Sequence, residues 1–464
     1  MTFNLASYVL RAGLDRPDHP ALIIPGKLTL THGKLHRAVA RRASGFAALG
    51  LAEGARVMLR LGNGPDFPIT FLAACAMGLV PVPTFAQLTE AEVTALARVV
   101  MPALAVVGDG VVPPKDVTLA RPQDLDGPPI PMAAWQDGDP DRLGYIVFSS
   151  GSGGVPKAVA HAHRAVRARR SMHRGWYGLS PDDRVLHAGA FNWTYTLGTG
   201  LMDPWSVGAT AIVPPPGTDG QALAPLIAAH GATILAAVPG VYRRLLRTGV
   251  TDAPRLRHGL SAGERLPPTL RQRWRDATGT DLHEALGMSE CSTFISGSPD
   301  SPAPDGTVGY VQDGRQVALD GEALCVGHGD PGLMLGYWQD GRPVLPPGDH
   351  FATGDRVAQA ADGAITHLGR MDDLLNPGGF RVSPQEVEAA LADLPVRDLA
   401  VGQVEVSGGA IVLAAYYVGD PLDEAAALAL AQDRLAPYKQ PRLWLRRAAL
   451  PRNVNGKLIR RALE

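Results

Sequence analysis

The segment best suited to grip a polyphosphate is Tyr145-Ile-Val-Phe-Ser-Ser-Gly-Ser-Gly-Gly-Val-Pro-Lys-Ala158. Its glycines let backbone N–H groups come close to an anion, its hydroxyls donate further hydrogen bonds, and Lys157 adds a full charge. The spacing is not that of a P-loop, because Pro156 stands five positions after Gly151 and Ala158 follows the lysine. A flexible Ser/Gly loop would share this composition. Four more segments follow in order: Glu284-Ala-Leu-Gly-Met-Ser-Glu290, Thr353-Gly-Asp355, Leu368-Gly-Arg-Met-Asp-Asp-Leu-Leu-Asn-Pro-Gly-Gly-Phe-Arg-Val-Ser-Pro-Gln-Glu-Val-Glu388 and Leu450-Pro-Arg-Asn-Val-Asn-Gly-Lys-Leu-Ile-Arg460. Only six of the 44 basic residues are lysines, and Lys157, Lys439 and Lys457 fall in or beside such motifs, a distribution that chance can also produce.

These residues must be carried by a scaffold, and the hydropathy pattern indicates which kind. Helical spacing of apolar residues over 35–49, 67–77 and 88–100 alternates with strand-like runs over 55–61, 79–83 and 104–107. Such βα alternation predicts mostly parallel sheets covered by helices. A loop rich in Pro, Asp and Gly over 112–141 precedes the strand 145–148. Alternation then resumes through a strand at 209–213, a helix at 222–230 and a strand at 233–237. Over 306–369 short runs broken by Gly, Pro and Asp predict a small β-rich subdomain. Beyond about 371, two helices (384–391 and 424–435) around a strand (411–418) predict a compact α+β lid. The expected fold class is therefore α/β: a large multi-subdomain body with parallel sheets and a small β-rich subdomain, plus a mobile α+β C-terminal lid.

Composition narrows the function. With 464 residues, 45% hydrophobic and 19% charged, the chain is globular and long enough for several lobes. A formal net charge of −1 supplies no global field for nucleic acid. Three scattered cysteines, Cys75, Cys291 and Cys325, argue against a disulfide framework or structural zinc and fit a reducing cytoplasm. No window reaches the ~18 apolar residues of a membrane span. A dinucleotide fold lacks its GxGxxG context, and His283-Glu284 has no second histidine to complete a zinc-hydrolase motif.

Taken in order, the five motifs resemble the adenylate-forming superfamily of acyl-CoA synthetases, peptide-synthetase adenylation domains and luciferases. The resemblance covers essentially the whole chain. Ser261-Ala-Gly-Glu-Arg-Leu-Pro267, Ser206-Val-Gly-Ala-Thr210, the run from Gly378 to Glu388 and Ala436-Pro-Tyr-Lys-Gln-Pro-Arg442 look most like benzoate-CoA ligases. The resemblance implies an acid–thiol ligase: a carboxylate attacks ATP to give an acyl-adenylate and pyrophosphate, and CoA then displaces AMP. Its substrates would be ATP, CoA and a small carboxylic acid, with Mg²⁺ as cofactor. A medium-chain fatty acid, or a carrier-protein thiol in place of CoA, would use the same adenylation residues.

Carried over by resemblance, Ser149, Ser150, Gly151, Ser152, Gly154 and Lys157 belong to the phosphate loop, and Glu290 helps to hold Mg²⁺. Ser261, Ala262, Gly263 and Glu264, with Ala285, Leu286, Gly287, Met288 and Ser289, frame the adenine. Asp355 takes the ribose hydroxyls with Arg370 nearby, and Lys457 bridges the substrate carboxylate and the α-phosphate. The catalytic residues would thus be Lys457, Glu290 and Lys157. The acyl pocket would be lined by Phe191, Trp193, Tyr195, Ala262 and Gly287, whose aromatics suit an aryl acid and would equally serve as core. Trp193, Gly378, Gly379 and Phe380 would line the CoA channel. The implied division is 1–371 for ATP and acyl binding and 372–464 for the lid, with Asp372 as hinge. Lys457 on such a lid would be open to a lysine acetyltransferase, and a homodimer is left open. Three residues depart from the pattern: Gly153 for a second loop hydroxyl, Leu286 for an aromatic beside adenine, and Ala158 for a glycine.

Overall fold

The computed structural model describes residues 2–149, 156–215, 218, 220–250, 253–371, 375, 382–406, 410–453 and 456–463. The chain divides into two compact units, Met1–Gln316 with His328–Asp349, and Val317–Gly327 with His350–Glu464. The β-rich subdomain expected over 306–369 is thereby shared between them. The hinge assigned to Asp372 lies outside the described residues.

The first unit is built on a nine-stranded sheet whose order across is Tyr310–Val311, Ser292–Ser296, Asp281–Met288, His258–Ala262, Ile234–Ala237, Arg184–His187, Thr210–Ile212, Pro20–Ile24 and Leu28–Thr31. The six central strands run parallel, and antiparallel strands close both ends. Alternate residues face opposite sides of the sheet. Leu186, Leu235, Ala237 and Leu282 pack with Trp274 and Tyr242 on one face. Val185, Ala236, Leu260, Ala262 and Ala285 pack with Trp176, Tyr177 and Tyr195 on the other. A parallel sheet buried on both faces explains the near-continuous apolar strands.

Two four-stranded sheets complete this unit. One is parallel, in the order Val80–Pro83, Arg56–Arg60, Leu104–Val107, Leu119–Ala120, and it matches the expected βα alternation. The other is antiparallel, in the order Arg342–Val344, Gly336–Gln339, Lys157–Ala162, Leu143–Ser149. The helices expected over 35–49, 67–77 and 88–100 form as His32–Ala48, Asp66–Ala76 and Glu90–Val100. The last begins with a capping box between Thr89 and Glu92.

The second unit carries an antiparallel sheet of Val317–Asp320, Ala323–Gly327, His350–Gln359 and Ile365–Arg370. It also carries a three-stranded sheet of Asp398–Val406, Ala410–Val418 and Leu443–Arg446. Helices Pro384–Ala390 and Glu424–Arg434 pack on the latter through Val387, Ala427 and Ala431. The strand Asp398–Val406 was not legible beforehand, because its polar Gln403 and Glu405 interrupt the apolar run. Among the described residues no helix is long and apolar enough to cross a membrane.

Candidate active site

The Ser/Gly-rich segment begins and ends in one β-hairpin. Strands Leu143–Ser149 and Lys157–Ala162 pair antiparallel, bringing Lys157 opposite Ser149. Ser150, Gly151, Ser152, Gly153 and Gly154 lie outside the described residues. Ala158 is buried beside Ile146 and Trp338, so the methyl group that departs from the family pattern fills core space.

Lys157 and Glu290 converge on a residue that sequence reasoning missed. Tyr337, in the strand Gly336–Gln339, pairs with Val159 and so sits diagonally from Lys157 on the same face. The Lys157 ammonium lies 4.7 Å from the centre of the Tyr337 ring, within cation–π range. The Tyr337 hydroxyl donates to Glu290 Oε1 at 2.9 Å. Glu290 itself is buried at the turn between Asp281–Met288 and Ser292–Ser296, where Ser292 adopts φ +60°. Its carbonyl accepts from Met334 N at 2.7 Å.

The same turn is anchored from a second side. Burial pushes the His161 imidazole down to about 4, despite the opposing pull of the Ser289 carbonyl. The ring is therefore neutral, and its Nε2–H donates to Ser289 O at 2.8 Å while the ring stacks on Tyr145. Among the described residues no cluster of three or more His, Cys, Asp or Glu could hold a metal. The buried Glu290 carboxylate, which shares Tyr337 with Lys157, fits a cation that takes its other ligands from phosphates and water, as Mg²⁺ does.

The segments expected to frame adenine lie where parallel strands end, a usual place for ligands in open α/β sheets. Ala262 pairs with Ala285, and Ser261 with Glu284, which places residues 261–264 beside 285–289. Alternation turns Ser261 away from the Ala262 side, and its Oγ is buried without a partner among the described residues. Glu264 lies 3.8 Å from Arg243. Leu286 and Met288 are half-buried, and Leu286 pairs with Ile295. Gly287 meets the opposite strand so closely that a Cβ would stand 2.5 Å from Ser292 O and from Thr293 Cα. Its lack of a side chain is thus required by the hairpin itself.

Trp193, Gly263 and Tyr195 come together. Gly263 has φ +91°, and a Cβ there would lie 2.9 Å from the Trp193 ring. Trp193 is half-buried and meets Tyr195 edge-on at 5.1 Å. Tyr195 is core: its hydroxyl donates to Leu260 O at 3.1 Å, and its ring packs on Trp176 and His187. Phe191 is also core, lying 5.1 Å from Phe67. Both ring nitrogens of His187, and Thr196 Oγ1, are buried beside Tyr195 with no partner among the described residues. Gly378, Gly379 and Phe380 lie outside the described residues.

In the second unit, strand pairing sets Asp355 opposite Arg370. Asp355 Oδ1 faces His367 Nε2 at 3.1 Å and Arg370 Nη1 at 3.6 Å, while Arg370 donates to Thr353 O at 2.8 Å. Burial alone would raise the Asp355 carboxyl. The His367 hydrogen bond, with the charges of Arg370 and Lys457, holds it below the ordinary range as an acceptor. His367 carried no signal in the sequence, being a lone histidine in a strand. Lys457 is exposed on a tight turn: its N–H donates to Asn453 Oδ1 at 2.9 Å, and Gly456 takes φ +84°.

The 3-hydroxybenzoate–CoA/4-hydroxybenzoate–CoA ligase of Thauera aromatica is 30% identical over 93% of this chain and 90% of its own. The p-hydroxybenzoic acid–AMP ligase FadD22 of Mycobacterium tuberculosis is 31% identical over 99% of this chain and 68% of its own. Among solved structures, a benzoate CoA ligase from Burkholderia xenovorans superposes with a TM-score of 0.87 at 26% identity, covering 99% of each chain. Residues 10–338 match the family described as AMP-binding enzyme, and the chain belongs to that family.

Proposed function

We propose that this protein is an ATP-dependent, AMP-forming acid–thiol ligase that converts an aryl carboxylic acid to its CoA thioester in the cytoplasm. The observation that carries the reading is the convergence of Lys157 and Glu290 on Tyr337, with Lys157 paired opposite Ser149, in a member of the AMP-binding enzyme family. The substrate carboxylate attacks the α-phosphate, and pyrophosphate leaves with the electrons of the broken P–O bond. The CoA thiol then attacks the acyl carbon, losing its proton, and AMP departs.

Both reactants of the first step are anions, so the protein must supply cations and preorganised donors aimed at the crowded phosphates. Ser149, Ser150, Gly151, Ser152, Gly154 and Lys157 grip the β- and γ-phosphates. Glu290 would hold Mg²⁺, which when bound would neutralise charge on the phosphate oxygens. Residues 261–264 and 285–289 frame the adenine, and Asp355, kept ionised by His367 and Arg370, accepts from the ribose hydroxyls. Lys457 neutralises the meeting carboxylate and α-phosphate, so its acetylation would halt this step. Residues 372–464 act as a lid turning at Asp372, and for thiolysis Gly378, Gly379, Phe380 and Trp193 line the path of the thiol.

The half-exposed Trp193 over Gly263 offers a flat apolar face to a ring. The unpaired Thr196 and His187 beneath Tyr195 favour a ring that bears a polar substituent. A second reading, transfer of the acyl group to a carrier-protein thiol, is favoured by the AMP-ligase relative. Pyrophosphate release from ATP and Mg²⁺ tests these readings across benzoate, its hydroxy derivatives and C2–C12 acids, with and without CoA. Sustained turnover with aryl acids only when CoA is present supports the aryl-CoA ligase. Preference for alkyl acids would move the reading to a fatty acyl-CoA synthetase. Aryl turnover that CoA does not accelerate would favour the carrier-protein acceptor.

A further inference from the structure

We propose that Tyr337 is a positioning residue that sets Glu290 for its cation through the hydroxyl and orders Lys157 through the ring. The inference rests on the ligase reading above, and it concerns a residue to which the motifs assign no role. A single side chain makes two chemically distinct contacts. Its phenol donates to Glu290 Oε1 at 2.9 Å, and its face lies 4.7 Å from the Lys157 ammonium.

The geometry leaves Tyr337 little freedom. Its strand pairs with that of Lys157 through Gly336↔Ala160 and Tyr337↔Val159. The backbone leading into it is fixed by Leu335 N donating to Ala160 O at 2.8 Å and Met334 N to Glu290 O at 2.7 Å. Glu290 reaches the site from a tight turn, and among the described residues Tyr337 is the donor that holds its carboxylate. With Oε1 engaged, the carboxylate is held in one orientation and Oε2 would remain for a cation. A long, flexible lysine at the mouth of a hairpin gains a resting place on the ring face, which a strand partner supplies at no cost in hydrogen bonding.

Partners that orient a metal-bound carboxylate typically change metal affinity by 10–100-fold when removed. The test uses the full chain and measures Mn²⁺ binding by electron paramagnetic resonance with a non-hydrolysable ATP analogue, and analogue binding alone by calorimetry. Tyr337→Phe keeps the ring and loses the hydroxyl. It is expected to weaken Mn²⁺ by roughly tenfold and leave metal-free nucleotide binding within about twofold. Tyr337→Leu loses both contacts and is expected to weaken Mn²⁺ and metal-free nucleotide binding together. Unchanged Mn²⁺ affinity in Tyr337→Phe overturns the inference, as does an equal loss of both measurements in the two variants. Glu290→Gln serves as the reference for a lost cation ligand. If wild-type protein binds the nucleotide but Glu290→Gln binds Mn²⁺ as well as wild type does, the ligase reading of Glu290 fails, and this inference with it.

Discussion

Gly287→Ala isolates the packing of the hairpin that carries Glu290. The new Cβ would stand 2.5 Å from Ser292 O and Thr293 Cα, and 2.8 Å from Ser292 C, all atoms of backbone that no rotamer change can move. Restoring a 3.4 Å contact requires the two strands to part by about 0.9 Å at a place where their register already shifts between Leu286 and Gly287. Overpacking of this kind costs about 1–3 kcal/mol. Glu290 sits in the turn between the two strands, so the displacement reaches the carboxylate, and a misplacement of ~1 Å can cost on the order of 10²-fold in rate. Urea denaturation should therefore give a lower midpoint with an unchanged slope, and pyrophosphate release should fall on the order of a hundredfold under conditions where the variant remains folded. Gly62→Ala is the control, because nothing lies within 4 Å of its Cβ and its φ is not positive; it should leave stability within about 0.5 kcal/mol. A Gly287→Ala protein as stable and active as wild type would refute the close-approach account.

Further outcomes can be checked alongside. Lys457→Gln should abolish adenylate formation yet spare thiolysis of preformed acyl-AMP, measured by separate half-reaction assays; equal loss of both would sink the separation of roles assigned to this lysine. Asp203→Asn should lower unfolding free energy by about 3–5 kcal/mol in urea titration, because it strands the buried Arg169 guanidinium, which now pairs with Asp203 at 2.6 Å and also contacts Ser292 in the Glu290 hairpin; a loss below about 1 kcal/mol would contradict this. Burial pushes His163 down to about 3, and its Nδ1 accepts from Leu5 N at 3.1 Å. Its stabilisation is thus complete above the unfolded value near 6.5 and is lost as pH falls toward 3, amounting to about 2 kcal/mol between pH 7 and 5. His163→Asn, which keeps an acceptor there, should flatten the fall by that amount in paired denaturations; an unchanged slope would show that other groups dominate.

Much of the fold was legible because its signals are local. Periodicity in 35–49, 67–77 and 88–100 is written within each helix, and all three form within a few residues of the expected ends. The Ser/Gly-rich segment and its lysine stand out for the same reason, since glycine, serine and lysine at short spacing limit what such a loop can hold.

Tertiary structure decided what those residues meet. Tyr337 reaches Glu290 across 47 positions, and no pattern around Gly336-Tyr337-Trp338 announces it, because strand pairing between distant segments creates the contact. His367 likewise gains its partner only when two strands lie side by side and Asp355 comes into reach. Gly287, assigned to the acyl pocket by resemblance, also meets the backbone of the opposite strand, a close approach that only strand pairing reveals. Phe191 and Tyr195 share one segment with Trp193, yet burial makes the first two core and leaves the third half-exposed over Gly263. The sequence by itself determined the order of the elements and the chemistry available to the site. Which side chains touch was decided by pairing and packing between remote segments, whose distances no local composition encodes.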